Sequence, residues 1–362
     1  MLNEIKDIKI YEATSEISQP IADSTHNISE ISFFVVEVIT EENIVGQGYL
    51  LSFHYSKNAI KGALIDGKNF ILQQGYKVYE TVKMKKEFDI ESEYFGSLGL
   101  QRWVQATLNV AMWDAWAKTL KMPIWKIFGV STYKIPVYGS GGWLSYSINE
   151  LIEEVTNYKK SGFKAVKIKV GSESVEEDLE RLYKVREAIG NDVKIMMDAN
   201  QGMTGITALL LAERAKEIGI HWFEEPVLNT DYESYKILKN KTGISLAMGE
   251  REYNIESLKA LIARNAIDLW QPDIIRIGGV EEWRNSAALA NSYHIPVLPH
   301  YYKDYDVPLL ATVPNGYGAE SFDWIDGIID NKMVVEDGYA QLRQGDGWGF
   351  NFKKEFLKEI YV

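Results

Sequence analysis

Between residues 169 and 320 a reactive side chain returns at a nearly constant interval: Lys169, Asp198, Glu224, Glu250, Asp273, His300 and Glu320. Subtracting each position from the next gives 29, 26, 26, 23, 27 and 20 residues. Nearly every one closes a short apolar run, as in Val166-Lys167-Ile168-Lys169, Ile195-Met196-Met197-Asp198, Trp222-Phe223-Glu224 and Val297-Leu298-Pro299-His300. An apolar run, a polar residue and then a helix-length stretch make one strand–helix unit of a parallel barrel. Catalytic groups of such barrels sit at the C-terminal strand ends. Seven strand ends thus bring seven reactive groups to one mouth, and the pattern predicts an enzyme.

The rhythm begins at Ile135. Strands are expected at 135–139, 165–170, 194–198, 221–224, 245–249, 269–275, 296–299 and 317–320, with helices such as Asn149–Ser161, Val175–Ile189 and Thr207–Ile218 between them. The first ~125 residues read differently. Ile8–Glu12, Ile31–Thr40 and Ile44–Leu51 carry strand patterns, Glu41-Glu42-Asn43 supplies a hairpin turn, and Val104–Leu120 has apolar residues at helical spacing. Ser18–Ser29 is a polar loop. The expected organisation is an α+β capping domain over 1–125, a barrel over 126–330, and a tail over 331–362 that returns to the capping domain. The chain's 362 residues suffice for this, since a full barrel takes about 250.

Composition removes several functions. A net charge of −12 argues against nucleic acid as a partner, though it leaves room for a small anionic substrate. With no cysteine there is no disulfide, thiolate nucleophile or zinc–thiolate site. The first residues carry acids where a secretion signal needs bases, and no uncharged apolar run approaches the ~20 residues of a membrane span. A cytoplasmic protein with no membrane partner is expected.

Asp198, Glu224 and Glu250 end three consecutive strands. Three converging carboxylates repel one another unless a cation sits among them, and oxygen-only ligands suit Mg2+ better than zinc. Asn200, two residues past Asp198, is placed to orient a ligand or substrate. Lys167 and Lys169 share one face of their strand and point into the barrel. Their proximity and burial should depress both pKa values, which makes a lysine a usable base. His300 is the one histidine of five that closes an apolar strand. Asp273, at the preceding strand end, is placed to fix its tautomer and complete a base dyad.

The set Lys167-Ile168-Lys169, Asp198-Ala199-Asn200, Phe223-Glu224-Glu225-Pro226, Met248-Gly249-Glu250, Gln271-Pro272-Asp273 with Ile277-Gly278-Gly279-Val280, Pro299-His300 and Glu320 resembles the mandelate racemase subgroup of the enolase superfamily. The resemblance spans the chain. It implies a (β/α)7β barrel under an α+β cap completed by the C-terminal tail, and a homo-oligomer. It also implies Mg2+ held by Asp198, Glu224 and Glu250, gripping the carboxylate of a small-molecule substrate. Lys169 would be the base on one face of the α-carbon, with Lys167 near the carboxylate, and His300–Asp273 would act on the other face. Glu320 would donate a hydrogen bond to the carboxylate as charge builds there, and Ser140 falls where members contact substrate.

Two departures stand out. Asp346-Gly347 replaces a Pro-Gly common near the tail, and the Ser18–Ser29 loop is polar where mandelate racemase itself is apolar. His26 and its neighbours offer hydrogen bonds to a polyhydroxy substrate or solvate a flap. Trp143, Tyr301 and Tyr302 suit an aromatic substrate or stacking on sugar carbons. The expected reaction is dehydration of a sugar acid to a 2-keto-3-deoxy acid. The alternative is racemisation or epimerisation of a 2-hydroxy acid, which the same residues serve. A non-catalytic binding barrel would be expected to have lost a ligand or base, and the chain keeps them all.

Overall fold

The first strand, Ile5–Ser15, alternates core and surface residues and pairs antiparallel with Ile31–Thr40, which in turn pairs with Val45–Leu51. In this computed structural model, residues 3–361 are described; Met1, Leu2 and Val362, the outermost residues of the expected cap and tail, lie outside the described residues. The hairpin turns at Asn43, whose φ of 62° is one that Asn tolerates better than most side chains. Helices Lys57–Gln74, Thr81–Ser92 and Leu100–Thr119 complete the capping layer, and the last of these packs on the sheet.

The barrel strands are Ile135–Gly141, Ala165–Lys169, Lys194–Asp198, Ile220–Glu224, Leu246–Met248 and Leu269–Trp270, each parallel to the next. Single bridges at Val297 and the Ala319–Ser321 strand, parallel to Ile135–Gly141, close the cylinder. The helices between have ordinary local causes. Ser147 and Glu150 form a reciprocal capping box at the start of Ile148–Lys160, and Ser174 caps Val175–Ile189.

Two strands are much shorter than the apolar pattern predicts. The one at 269–275 stops at Trp270, because Pro272 has no amide to donate and Asp273 caps a helical turn at Ile274–Ile277. The one at 296–299 reduces to the bridge at Val297. Apolar character there reflects burial rather than ladder pairing.

The tail does return to the cap. Lys358–Glu359 pairs antiparallel with Tyr11–Glu12 as the fourth strand of the capping sheet. Trp348 donates its backbone N–H to Asp114 Oδ1 at 2.9 Å and its indole N–H to the Val110 carbonyl at 3.0 Å. Gly347 makes this approach possible: its φ is 68°, and a Cβ there would lie 1.9 Å from Asp114 Oδ1. The glycine of the Pro-Gly pair is therefore the half the packing requires, while Asp346 is exposed.

Glu154, on the first barrel helix, accepts the Gly142 N–H at 2.6 Å. Burial, its largest influence, pushes its carboxyl up to about 7 despite that hydrogen bond and Arg181. An unfolded Glu titrates near ~4.3. The folded state therefore holds an extra proton between those values, and stability falls as pH rises across that window. Glu154→Gln keeps an acceptor for Gly142 and removes the titration. Its thermal midpoint should match wild type near pH 4 and exceed it at pH 8, by on the order of 2 kcal/mol in stability.

Candidate active site

The strands ending in Asp198 and Glu224 pair in register at those two residues, and Glu250 follows the next strand by two positions. The turns after these strand ends are strained. Asn200, Gln201, Glu225 and Tyr301 have φ of 42°, 66°, 38° and 63°, a region costing non-glycine residues of order 1–3 kcal/mol each. They follow Asp198, Glu224 and His300, and the chain turns abruptly there at the barrel mouth.

One oxygen from each of Asp198, Glu224 and Glu250 lies within 4.8 Å of the others, and all three side chains are buried. Two are held from behind by hydrogen bonds. Asp198 Oδ1 accepts the Asn200 N–H at 2.9 Å, and Glu224 Oε2 accepts from Gln271 Nε2 at 2.7 Å. Burial raises the Glu224 carboxyl to about 7, with Lys167 opposing and Asp198, Glu320 and Glu250 adding to the rise. For Glu250 the neighbours win over burial: His300, Arg251 and Arg276 hold it well below the usual range. A buried, compact, all-oxygen donor set of this charge suits a hard divalent cation better than zinc or copper.

Lys167 and Lys169 both face the barrel interior, as strand parity requires. Lys167 Nζ lies 2.7 Å from Glu224, 2.6 Å from Glu320 and 3.5 Å from Asp198. Lys169 Nζ lies 2.6 Å from Asp198 Oδ2 and donates to Asn200 Oδ1 at 2.8 Å. Their pKa values are raised, not depressed. Burial works to lower them, but Glu224 and Glu320 around Lys167, and Asp198 beside Lys169, outweigh it. The expected depression counted the two lysines and not the acids that adjacent strands bring against them.

His300 Nδ1 sits 2.9 Å from Asp273 Oδ2, and its Nε2 lies 3.4 Å from Glu250. Asp273 Oδ1 accepts the Ile275 and Arg276 N–H groups at 2.8 and 2.9 Å, so a helix start fixes the carboxylate that orients the ring. Burial would lower the imidazole pKa, yet Glu250 and the Asp273 hydrogen bond raise it. Glu320 Oε2 accepts the Tyr301 N–H at 2.9 Å; its Oε1 contacts Lys167 as an ion pair without hydrogen-bond alignment. Burial acts against ionisation, but Lys167, His300 and Lys169 hold Glu320 down to about 2. In this arrangement it is an acceptor, which departs from the donor role the resemblance implies.

A cleft of about 670 Å³ joins barrel mouth and cap. Lys169, Asn200, Glu250, Asp273, His300, Glu320 and His26 line it. Ser140 does not. It pairs in register with Lys167 inside the barrel, and its buried Oγ has no hydrogen-bond partner among the described residues. Arg251 and Arg276 line the cleft too, bracketing Glu250 at 3.4 and 3.8 Å. Sequence periodicity missed both because it marks strand ends, and these lie one and three residues beyond one. Glu225 is buried, with Gln201 Nε2 at 2.7 Å and Arg251 Nε at 3.3 Å.

The Ser18–Ser29 segment is a docked flap with a two-residue hairpin, Ile21–Ala22 against Asn27–Ile28. The Ala22 carbonyl accepts the Leu144 N–H at 2.8 Å, and Ser24 Oγ donates to the Ala199 carbonyl between Asp198 and Asn200. Ser24 and Thr25 do not line the cleft; Asp23, His26 and Ile28 do. A Cβ on Gly202 would stand 2.3 Å from Ser24 Oγ. Gly202→Ala is therefore expected to lift the flap, and subtilisin should cut within 18–29 at least ~10-fold faster than in wild type.

Residues 150–356 match the enolase C-terminal domain-like family, and residues 5–129 match the mandelate racemase / muconate lactonizing enzyme N-terminal domain. The chain belongs to the mandelate racemase/muconate lactonizing enzyme family of the enolase superfamily. Among members of this family, arabinonate dehydratase of Saccharolobus solfataricus is 31% identical over 380 residues, covering 99% of both chains. L-talarate/galactarate dehydratase of Salmonella typhimurium is 25% identical over 369 residues, 98% of this chain and 90% of its own. A crystal structure of that Salmonella typhimurium enzyme, liganded with Mg and L-lyxarohydroxamate, superposes with a TM-score of 0.92 at 24% identity, over 99% of this chain and 94% of its own. The enolase fold of this family, a cap completed by the C-terminal strand over a parallel barrel, is the fold described above.

Proposed function

We propose that this protein abstracts the proton α to the carboxylate of a sugar acid and expels the β-hydroxyl, giving a 2-keto-3-deoxy acid. The observation that carries the reading is the placement of two bases against different members of one carboxylate cluster: Lys169 at 2.6 Å from Asp198, and His300 Nε2 at 3.4 Å from Glu250. A substrate carboxylate drawn to that cluster has its α-carbon between them. The sugar-acid dehydratases named among the relatives, one 31% identical over nearly the whole chain, support the substrate class.

Asp198, Glu224 and Glu250 would hold Mg2+. Bound there, Mg2+ supplies positive charge that grips the substrate carboxylate and offsets the acids keeping Lys169 protonated. Lys169 takes the α-proton, and the C–H electron pair becomes that of an enediolate. Lys167 and Glu320 shape the charge at the carboxylate end, and Asn200 orients Lys169. The C–OH bond then breaks toward His300, whose imidazolium gives up a proton so that water leaves, and the enol ketonises. Asp273 keeps Nδ1 as the inner donor, leaving Nε2 for the substrate. His26 provides one polar contact from the flap. Ser140 acts from the barrel interior as a positioning group.

Racemisation is the second reading, favoured specifically by the His300–Asp273 dyad, because a base on each face is what inversion needs. A panel of aldonic and aldaric acids in heavy water separates the two. Carbonyl formation with one deuterium gained marks dehydration; exchange and inversion at the α-carbon without carbonyl marks racemisation. Neither change with any acid, in the presence of Mg2+, would overturn both.

A further inference from the structure

The cleft has two unlike halves. Acids, Lys169, two arginines and His300 line the barrel side, but Ile28, Leu51, Phe53, Ile60, Leu100 and Trp103 line the roof supplied by the cap. Beside them the barrel adds a stack of rings. Phe322 and Trp324 lie 4.4 Å apart at 24°, and Trp143 continues the stack 5.9 Å from Trp324 at 22°. The Trp143 ring centre is 5.4 Å from Lys169 Nζ, so this apolar wall begins beside the proposed base.

Polar atoms on that side are largely committed elsewhere. Asp23 Oδ1 accepts the Thr25 and His26 N–H groups, both at 2.7 Å. Ser52 Oγ donates to the Ser32 carbonyl, and Tyr55 Oη donates to the Asn27 carbonyl at 2.7 Å. The cations are matched as well. Arg251 Nε lies 3.3 Å from Glu225, and Arg276 donates to the Glu250 carbonyl at 3.0 Å with its Nε 3.9 Å from Asp273. A hydroxyl pressed against these apolar side chains loses water and gains no partner from them, at a cost of roughly tenfold in affinity. A second carboxylate there would have to compete with Glu225 and Glu250 for Arg251, and with Glu250 and Asp273 for Arg276, and would lose more.

We infer that the substrate is a monocarboxylate with an apolar far end, a terminally deoxygenated sugar acid in preference to a fully hydroxylated aldonate or a diacid. This rests on the dehydration reading above. It is tested by kcat/KM for a matched series sharing C2 and C3 configuration: an aldonate, its terminal deoxy counterpart and the corresponding aldarate. The deoxy acid should exceed the aldonate by about tenfold and the aldarate by about a hundredfold. An aldonate or aldarate equal to or better than the deoxy acid overturns the inference and leaves dehydration standing. A second arm uses Leu100→Gln, a partly buried roof position at the start of its helix. The deoxy-over-aldonate ratio should shrink at least ~3-fold in this variant, and an unchanged ratio overturns the role given to the roof. If no member of the series loses water or exchanges its α-proton, the dehydration reading falls and this inference falls with it.

Discussion

Asp198→Asn, Glu224→Gln and Glu250→Gln are each expected to lower turnover by roughly 10³-fold or more, equivalent to ~4 kcal/mol of barrier. The three oxygens lie within 4.8 Å of one another, so removing any one charge dismantles the cation site rather than weakening it in proportion. A readout independent of activity separates this from damage to the fold. Millimolar Mg2+ should raise the thermal midpoint of wild type, because a ligand bound only to the folded state adds stability by mass action. The same addition should leave the three variants unmoved. Their midpoints in chelator measure what each substitution costs the fold by itself, since Asp198 and Glu224 are also ion-paired with the buried Lys169 and Lys167. Full activity in excess chelator, or Mg2+-dependent stabilisation of all three variants, would refute the metal assignment.

The second large effect divides the labour between Lys169 and His300. Each contacts a different acid of the cluster, and the dehydration proposed above puts them on opposite sides of the substrate. Lys169→Ala should abolish α-proton exchange of one configuration, and His300→Asn that of the other, each by roughly 10²–10⁴-fold as for a lost general base or acid. His300→Asn should also remove dehydration where the departing hydroxyl lies on its side. Asp273→Asn should reproduce His300→Asn in stereochemical outcome, because Asp273 acts through the ring at 2.9 Å from Nδ1. Incubation in heavy water with both configurations of a 2-hydroxy acid reads all three variants. Wild-type exchange of both configurations in His300→Asn would assign the chemistry to the lysines alone.

Much of this was legible in the chain because a parallel barrel repeats. Each strand end is one apolar run from the next, so Lys169, Asp198, Glu224, Glu250, Asp273, His300 and Glu320 could be found by spacing alone. Strand parity likewise placed both lysines inward without coordinates. The tertiary structure decided what the repeat does not encode. Charge states depend on neighbours from other strands: the acids around Lys167 and Lys169 raise pKa values that the lysine pair alone would lower, and Lys167 makes Glu320 an acceptor. Arg251 and Arg276 entered the cleft through turns beyond the strand ends, where no periodicity applies. Ser24 serves as a latch, which the chain could not show because a loop's docking depends on surfaces far away in sequence, here Ala199 and Gly202. The apolar roof was hidden for the same reason. Ile28, Phe53, Ile60 and Leu100 come from four separate segments of the cap, and only the fold sets them side by side over the barrel.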